Sequence, residues 1–248
     1  MIRAALLWFL AALPAQAEEI VTGVSQNRIA ITADFDGSEI LIFGAVKREA
    51  PAPEGQMNVI VTVAGPSRPV MVRRKERIFG IWVNRDAVEV DLAPSFYAIT
   101  TTGPLSEILK DIEDLRHKIS IPRAIRSVGA EVNGAEAFTE ALIRIRSEAD
   151  LYKIAETTID LRADTLFQTS VQLPANLIEG DYTVRTILTR NGDVITLDET
   201  IIDVRKVGLE RWLYNLAHER PLIYGLLSLT IAIAAGWGAS AVFRYIRS

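Results

Sequence analysis

Residues Leu222–Phe243 read LIYGLLSLTIAIAAGWGASAVF, and this stretch decides how the chain is organised. It contains no charged residue and lies between Arg220 and Arg244. A bilayer core is about 30 Å thick and a helix rises about 1.5 Å per residue, so about 20 apolar residues cross it. Lipid offers no partner for exposed backbone polar groups, so the segment must be helical. The sequence predicts one transmembrane helix at 221–243.

The other end of the chain, residues 1–17, has the pattern of a secretory signal peptide. Arg3 gives a positive start, and Ala4–Leu13 is an apolar core too short to span a bilayer. Ala15–Ala17 is a small-x-small cleavage pattern. We expect cleavage after Ala17, which would leave Glu18 as the first mature residue. The alternative is an uncleaved N-terminal anchor.

These two ends predict a topology. The far flank of the helix carries Arg244 and Arg247 and no acidic residue, which indicates a cytoplasmic tail by the positive-inside rule. We therefore expect a single-pass inner-membrane protein whose N-terminal domain lies in the periplasm. The predicted segments are a signal peptide (1–17), a periplasmic ectodomain (18–207), a juxtamembrane segment (208–220), the transmembrane helix (221–243) and a cytoplasmic tail (244–248).

Composition narrows the classes of function. The chain has 27 basic and 31 acidic residues, a net charge of −4, and loss of Arg3 with the signal peptide would make it −5. This charge disfavours nucleic acid as a partner, which requires a basic footprint. The basic run Arg73–Arg77 is a local exception, for which a solvated hairpin tip is favoured over an anion site. The absence of cysteine excludes disulfides, thiol catalysis and cysteine-ligated metals.

The ectodomain sequence is mainly β. Short apolar or alternating runs separated by turn signals are typical of an antiparallel, immunoglobulin-like sandwich. An Asn191-Gly192 turn predicts a hairpin near the end of the domain. The predicted strands are 29–33, 39–46, 58–63, 69–72, 78–83, 88–92, 96–101, 165–173, 182–189 and 194–204.

The middle of the ectodomain changes to a helical period. Apolar residues recur at helical spacing from Leu105 to Leu115 and again from Phe138 to Ile145. This pattern predicts a helical insert at about 104–150, with both apolar stripes buried against the sheet.

Candidate chemistry is sparse. Asp34, Asp36 and Glu39 form the densest carboxylate cluster, but their spacing does not match a calcium loop, and a tight hairpin with Asp36-Gly37 at its tip is favoured. His117 and His218 lie in unlike settings and predict no metal site. No nucleophile elbow or phosphate loop is present. We therefore predict no catalytic, cofactor-binding or metal residues.

Small residues define one face of the predicted anchor. Ser228, Ala232, Gly236 and Ser240 are spaced by four, and Gly225 lies beside this row. Close approach of helices in lipid depends on such small residues. The five residues therefore predict a helix-packing interface, with a membrane-protein partner or with a second copy of the chain. This set is called the small-residue row below.

The whole pattern resembles the alphaproteobacterial transmembrane protein family Alph_Pro_TM. The family has no assigned activity, so the resemblance implies a location and no functional residues. Members are often encoded near TauE/SafE-class permeases, so the resemblance implies a transport accessory. The segments that carry it are Ile31–Gly44, Gly65–Pro69, Gly80–Asn84, Pro94–Ala98, Leu173–Tyr182 and Gly225–Gly238.

Three functions follow as hypotheses. The first is a non-enzymatic accessory or interaction subunit of a membrane transport complex, which binds lipid and another membrane protein. The second is a periplasmic glycan or cell-wall-binding module that uses exposed aromatics such as Trp82, Phe96 or Tyr97, although sandwich core is favoured for those side chains. The third is an enzyme of unrecognised type.

Overall fold

A computed structural model of the chain describes residues 18–32, 35–48, 53–126 and 135–246. The predicted signal peptide and Asp34 lie outside these residues. The described part contains twelve strands and six helices. The strands are β1 (Glu19–Val24), β2 (Arg28–Ile31), β3 (Ser38–Lys47), β4 (Met57–Ala64), β5 (Ser67–Ile78), β6 (Ile81–Pro94), β7 (Tyr97–Thr101), β8 (Tyr152–Ala155), β9 (Asp160–Arg162), β10 (Leu166–Leu173), β11 (Gly180–Arg190) and β12 (Asp193–Lys206). The helices are α1 (Leu105–Ile108), α2 (Asp111–His117), α3 (Ile121–Ala124), α4 (Ala135–Glu148), α5 (Leu209–Glu219) and α6 (Pro221–Ile246).

The chain forms two compact units. The larger one contains the described residues up to 29 and from 36 to 204, and the smaller one contains 30–35 and those from 205 onward. The mainly β character predicted for the region before the apolar helix is confirmed.

The strands of the described residues form three sheets. A four-stranded sheet has the order β1-β3-β10-β9, a six-stranded sheet has the order β2-β12-β11-β4-β7-β8, and β5 pairs with β6 as a separate ribbon. Most pairs are antiparallel, but β7 and β8 are parallel. The immunoglobulin-like sandwich is therefore not confirmed, since that fold consists of two purely antiparallel sheets.

Strand β4 lies in the interior of the six-stranded sheet, and seven of its eight residues are buried. Ile60 belongs to a core cluster with the helices and the base of the β5–β6 ribbon. Val59 and Val61 are fully buried but lie outside that cluster. Because successive side chains of a strand point to opposite faces, the sheet has a core on each side. Its apolar run explains this position, since doubly buried strands read as continuous hydrophobic sequence.

Two buried tyrosines donate hydrogen bonds within the core, one to the helical segment and one to the end of β6. The Tyr97 hydroxyl donates to the Ile119 carbonyl at 2.8 Å, and the Tyr152 hydroxyl donates to the Pro94 carbonyl at 2.7 Å. Burial raises the pKa of both phenols to about 12. Both hydroxyls therefore stay protonated and act as fixed donors in this core.

The helical segment differs in detail from its prediction. The first apolar stripe is divided between α1 and α2, which leaves Ile112 and Leu115 exposed while Ile108 and Leu109 are buried. In α4, Phe138 and Leu142 are buried in the core cluster, as expected from their spacing, but Ile145 at the end of the predicted stripe is 55% exposed.

One turn prediction and one strand prediction fail, and a second turn prediction is confirmed. Asp36-Gly37 is not a hairpin tip, because β2 belongs to the six-stranded sheet and β3 to the four-stranded one. The segment predicted as one strand at 78–83 contains the turn at Phe79-Gly80 that joins β5 to β6. The Asn191-Gly192 hairpin is confirmed between β11 and β12, with φ values of +51° and +84°.

The corner before β11 is closed by a tyrosine. Tyr182 is fully buried, and its hydroxyl donates to the Ile178 carbonyl at 2.9 Å. A tyrosine bonded to backbone a few residues upstream is a device of extracellular sandwiches, so this local corner is present without the complete immunoglobulin topology.

Candidate functional site: an apolar helix and an exposed hairpin tip

Helix α6 is the segment best suited to a membrane. Its 20 residues Pro221–Ser240 have a mean hydropathy of 1.7, and none of this stretch is buried among the residues that the structure describes. Leu226 and Ile233 are 67% and 64% exposed. An apolar helix of this length without protein cover satisfies all its backbone polar groups internally, which is the condition for crossing lipid. It is the one described helix long and apolar enough to span a bilayer.

The small-residue row lies along α6. A Cβ added at Gly225 or Gly236 would meet no atom within 4 Å outside the helix itself. The described part of this chain therefore does not use the row for its own packing. Residues spaced by four share one side of a helix, so the row offers a smooth surface to another helix.

Helix α5 precedes the apolar helix and is amphipathic. Trp212 and Tyr214 are 53% and 62% exposed, and amphipathic rings of this kind favour membrane–water interfaces. The Tyr214 ring stacks on His218 with centroids 4.0 Å apart, and a ring nitrogen of His218 lies 2.9 Å from the Tyr214 carbonyl. His218 thus has a local structural role.

The other histidine is also held within its own helix. His117 Nε2 lies 3.4 Å from the carboxylate of the buried Glu113, which also accepts a bond of 2.6 Å from Arg116. Within the described ranges, no three His, Asp or Glu side chains come close enough to hold a metal ion.

The predicted carboxylate cluster lies beside an open polar cavity of about 460 Å³. Asp36 and Glu39 line it with Asp150 and Lys153, which pair with each other at 3.2 Å. Asp34 is outside the described residues, so the structure describes only Asp36 and Glu39 of this cluster.

The aromatic residues considered for glycan contact divide into two groups. Phe96 and Tyr97 are 0% and 3% exposed and belong to the core, as favoured from the sequence. Trp82 is 65% exposed, so the expectation of core was wrong for that residue. The reason is its position in the ribbon. Trp82 pairs with Arg77 near the turn, and the last buried pair of the ribbon, Val72 and Val88, lies closer to the core.

The end of the β5–β6 ribbon is an exposed apolar surface that sequence reasoning missed. We call it the apolar tip and define it as Ile78, Phe79, Ile81, Trp82 and Val83. Phe79 and Ile81 are 101% and 68% exposed, and both central residues of the turn have positive φ, +50° at Phe79 and +87° at Gly80. A bulky side chain is rare in this left-handed conformation. The turn therefore projects an aromatic ring outward where asparagine or glycine is usual.

Basic residues lie next to the apolar tip, along strand β5. Arg73, Lys75 and Arg77, named the basic collar here, alternate along β5, so they share one face of the ribbon. None of the three pairs with a carboxylate among the described residues. On the other face the charges are paired, Arg74 with Asp86, and Arg85 with Glu76 at 2.5 Å. The confirmed part of the sequence prediction is that Arg73–Arg77 is solvated and near a hairpin tip.

The most buried charge cluster lies at the start of the described chain. Glu18 is 7% exposed and accepts from Arg48 Nε at 2.6 Å and from Arg190 Nη2 at 2.7 and 2.8 Å. Arg190 also donates to the carbonyls of Pro53 and Gly55 at 2.8 and 2.9 Å. We call Glu18, Arg48 and Arg190 the Glu18 cluster. Its bonds tie the first described residue to the far end of β11, so we assign it a structural role.

Comparison with known proteins adds a family. No curated protein matches this sequence. A solved structure titled "Crystal structure of BslA - A bacterial hydrophobin" is 13% identical, and the match covers 79% of this chain and 99% of that one with a TM-score of 0.24. A TM-score this low does not establish a common fold.

The family model described as "Putative transmembrane protein (Alph_Pro_TM)" matches residues 19–245. This match covers the β-rich region, α5 and nearly all of α6, and it agrees with the membrane location that α6 indicates. The chain belongs to this transmembrane protein family.

Proposed function

We propose that this protein is a single-pass inner-membrane protein with a non-enzymatic periplasmic β domain, and that it serves as an accessory or interaction subunit of a membrane transport complex. In this proposal residues 1–17 are removed as a signal peptide, α6 crosses the bilayer, and the tail after α6 lies in the cytoplasm. The membrane location that the proposal builds on follows from the family and from α6.

The observation that carries the interaction role is the small-residue row. A tether requires only apolar surface, whereas the row provides a groove that no described part of the chain fills. Van der Waals packing between small residues is a main source of helix association in lipid, because the lipid tails remove the hydrophobic driving force. Either a polytopic partner of the TauE/SafE permease class or a second copy of the chain could occupy this groove.

The non-enzymatic part of the proposal rests on the site chemistry. The two histidines are engaged within their own helices, and the Glu18 carboxylate is bound by two guanidinium groups. These groups are candidates for structural roles, since a catalytic acid or base must reach a substrate.

The test is purification of the intact chain from its native membranes in mild detergent, followed by identification and quantification of co-purifying proteins. A stoichiometric permease or other polytopic protein supports the accessory role. A stoichiometric dimer supports association between copies. A clean monomer that binds glycan would replace the accessory role with the cell-wall-binding function.

A further inference from the structure

The end of the β5–β6 ribbon has the chemistry of a membrane-contact device. From the buried pair Val72 and Val88, the ribbon extends six residues to the turn, or about 20 Å at about 3.3 Å per residue. Every residue from Arg73 to Arg85 is exposed. The ribbon therefore carries its apolar tip away from the core of its own unit.

The apolar tip is costly to leave in water. Five apolar side chains lie within six residues at the end of the ribbon, with Phe79 fully exposed and Trp82 65% exposed. Burial of large apolar side chains is favourable, so an occupant that covers even part of the tip gains free energy. The positive φ of Phe79 adds backbone strain, a feature that clusters at ligand contacts and switches.

The small size of the tip favours lipid over a folded protein partner. A standard protein interface contains about 20–30 residues on each side. The tip offers five residues on a narrow ribbon, too few for such an interface but enough to enter the headgroup and upper acyl region of a bilayer. Tryptophan and phenylalanine are typical of that region, where rings meet both apolar and polar surroundings.

The positive charge of the ribbon favours anionic lipid. The basic collar has no carboxylate partner among the described residues, and Arg77 lies directly opposite Trp82 on the same face. The ribbon from Arg73 to Asp86 carries five basic and two acidic residues in a chain that is otherwise acidic. This positive end is complementary in charge to an anionic headgroup.

We propose that the apolar tip inserts into the interface of a bilayer containing anionic phospholipid, while the basic collar binds the headgroup phosphates. This contact is independent of the accessory role, since it uses the ribbon and not the small-residue row. Because α6 already holds the chain at a membrane, a weak insertion becomes populated at a high effective concentration of lipid.

The absence of cysteine makes a direct test possible, because a single introduced thiol can carry an environment-sensitive dye. The full chain with Phe79→Cys is labelled and held in nanodiscs of phosphatidylcholine or of phosphatidylcholine with phosphatidylglycerol. Vesicles of the same two compositions are then added in a second arm, which detects contact with an opposing bilayer. The matched control is Ser170→Cys, at an exposed position of β10.

We expect a blue shift and a several-fold rise in dye emission at position 79 when anionic lipid is present in either arm, with no change at position 170. Replacement of Arg73, Lys75 and Arg77 by glutamine should weaken the apparent affinity for anionic vesicles, measured by titration of the dye signal, by about 100-fold, or about 3 kcal/mol at about 1 kcal/mol per basic residue.

Three results would overturn the proposal. One is a dye at position 79 that stays in water in both arms. Another is an equal response in the two lipid compositions, which would remove the role of the basic collar. The third is a dye at position 79 that is shielded from water when the labelled chain lies in native membranes but not in pure lipid. This result would assign the tip to a protein partner. Circular dichroism of each variant excludes unfolding as the cause.

Discussion

Glu18 is the residue whose environment departs furthest from that of an ordinary surface carboxylate. Burial raises its pKa, but the hydrogen bonds and positive charges of Arg190 and Arg48 outweigh burial and hold the pKa below the ordinary value of 4.5. The neighbouring Glu19 has the opposite setting, since it pairs with Lys47 at 3.2 Å and both side chains are more than half exposed. The two adjacent glutamates therefore form a natural comparison of a buried and an exposed ion pair.

Replacement Glu18→Gln should lower the free energy of unfolding by about 3 kcal/mol, because removal of one partner leaves buried arginines without a counter-charge. Glu19→Gln, the control, should change it by less than about 1 kcal/mol, since exposed pairs contribute little. Urea denaturation of both variants at pH 7 measures the difference. Equal, small losses would show that Arg48 and Arg190 are satisfied without the carboxylate.

The same residue gives a pH dependence with a definite sign. A carboxyl group whose pKa is lower in the folded state stabilises the fold above its unfolded pKa and loses that contribution as the pH falls through the folded pKa. The stability gap between the original protein and Glu18→Gln should therefore be constant above about pH 5 and shrink below the ordinary value of 4.5. A gap unchanged at pH 3 would contradict this account.

At the scale of elements, the turns show which sequence signals are reliable. Asn191-Gly192 predicted its hairpin because asparagine and glycine accept positive φ at low cost. Phe79-Gly80 forms a turn with the same signs of φ, but a phenylalanine at that position gives no such signal. The exposed tip was therefore predicted as part of one apolar strand, 78–83.

The Asn191-Gly192 hairpin is also braced by a helix-forming segment. The Lys110 amide donates to the Gly192 carbonyl at 2.9 Å, and a Cβ at Gly192 would lie 2.9 Å from Lys110 Cγ. Gly192→Ala should therefore lose about 1–2 kcal/mol of stability from strain at positive φ, together with displacement of Lys110. Gly80→Ala has the same sign of φ and nothing within 4 Å, so it separates strain from crowding. Thermal denaturation of both variants measures the two losses, and a loss no larger for Gly192→Ala would exclude a contribution from crowding.

The apolar helix is an element whose proposed role can be tested by one substitution. Gly236→Leu places a large side chain in the small-residue row and should weaken helix association by about 1–2 kcal/mol. Leu229→Ala, at a position outside the row that is 58% exposed, should have little effect. Crosslinking yield or co-purification in mild detergent compares the two. If both variants behave like the original chain, α6 is only a tether.

For the whole molecule, the proposed topology predicts a protease result. In spheroplasts, added protease should digest the proposed ectodomain, while a small fragment containing α6 stays with the membrane. The N-terminal residue of the undigested protein should be Glu18. A fully protected chain would place the ectodomain in the cytoplasm and contradict the proposal.

At this scale, the sequence could predict features that depend on neighbouring residues in the chain, but not those that depend on residues far apart in the chain. The anchor and the family depend on continuous segments, so Leu222–Phe243 alone predicted the membrane location that the family match supports. The strand order depends on pairings between distant segments, and the parallel β7–β8 pair spans the whole helical region. The Glu18 cluster joins residues from three separate parts of the chain, so no local pattern could have revealed it.

The pairing of β2 with β12 sets the order of events as the chain is made. The six-stranded sheet joins one of the earliest strands to the last one, and β12 ends only three residues before α5. Since contacts of large sequence separation form slowly, β2 cannot pair with β12 until almost all of the β-rich region has been made. We expect a long-lived intermediate with an unpaired strand edge, which is the species that aggregates most readily. A chaperone that shields this edge would then raise the yield of folded protein more than one that acts after β12 has emerged.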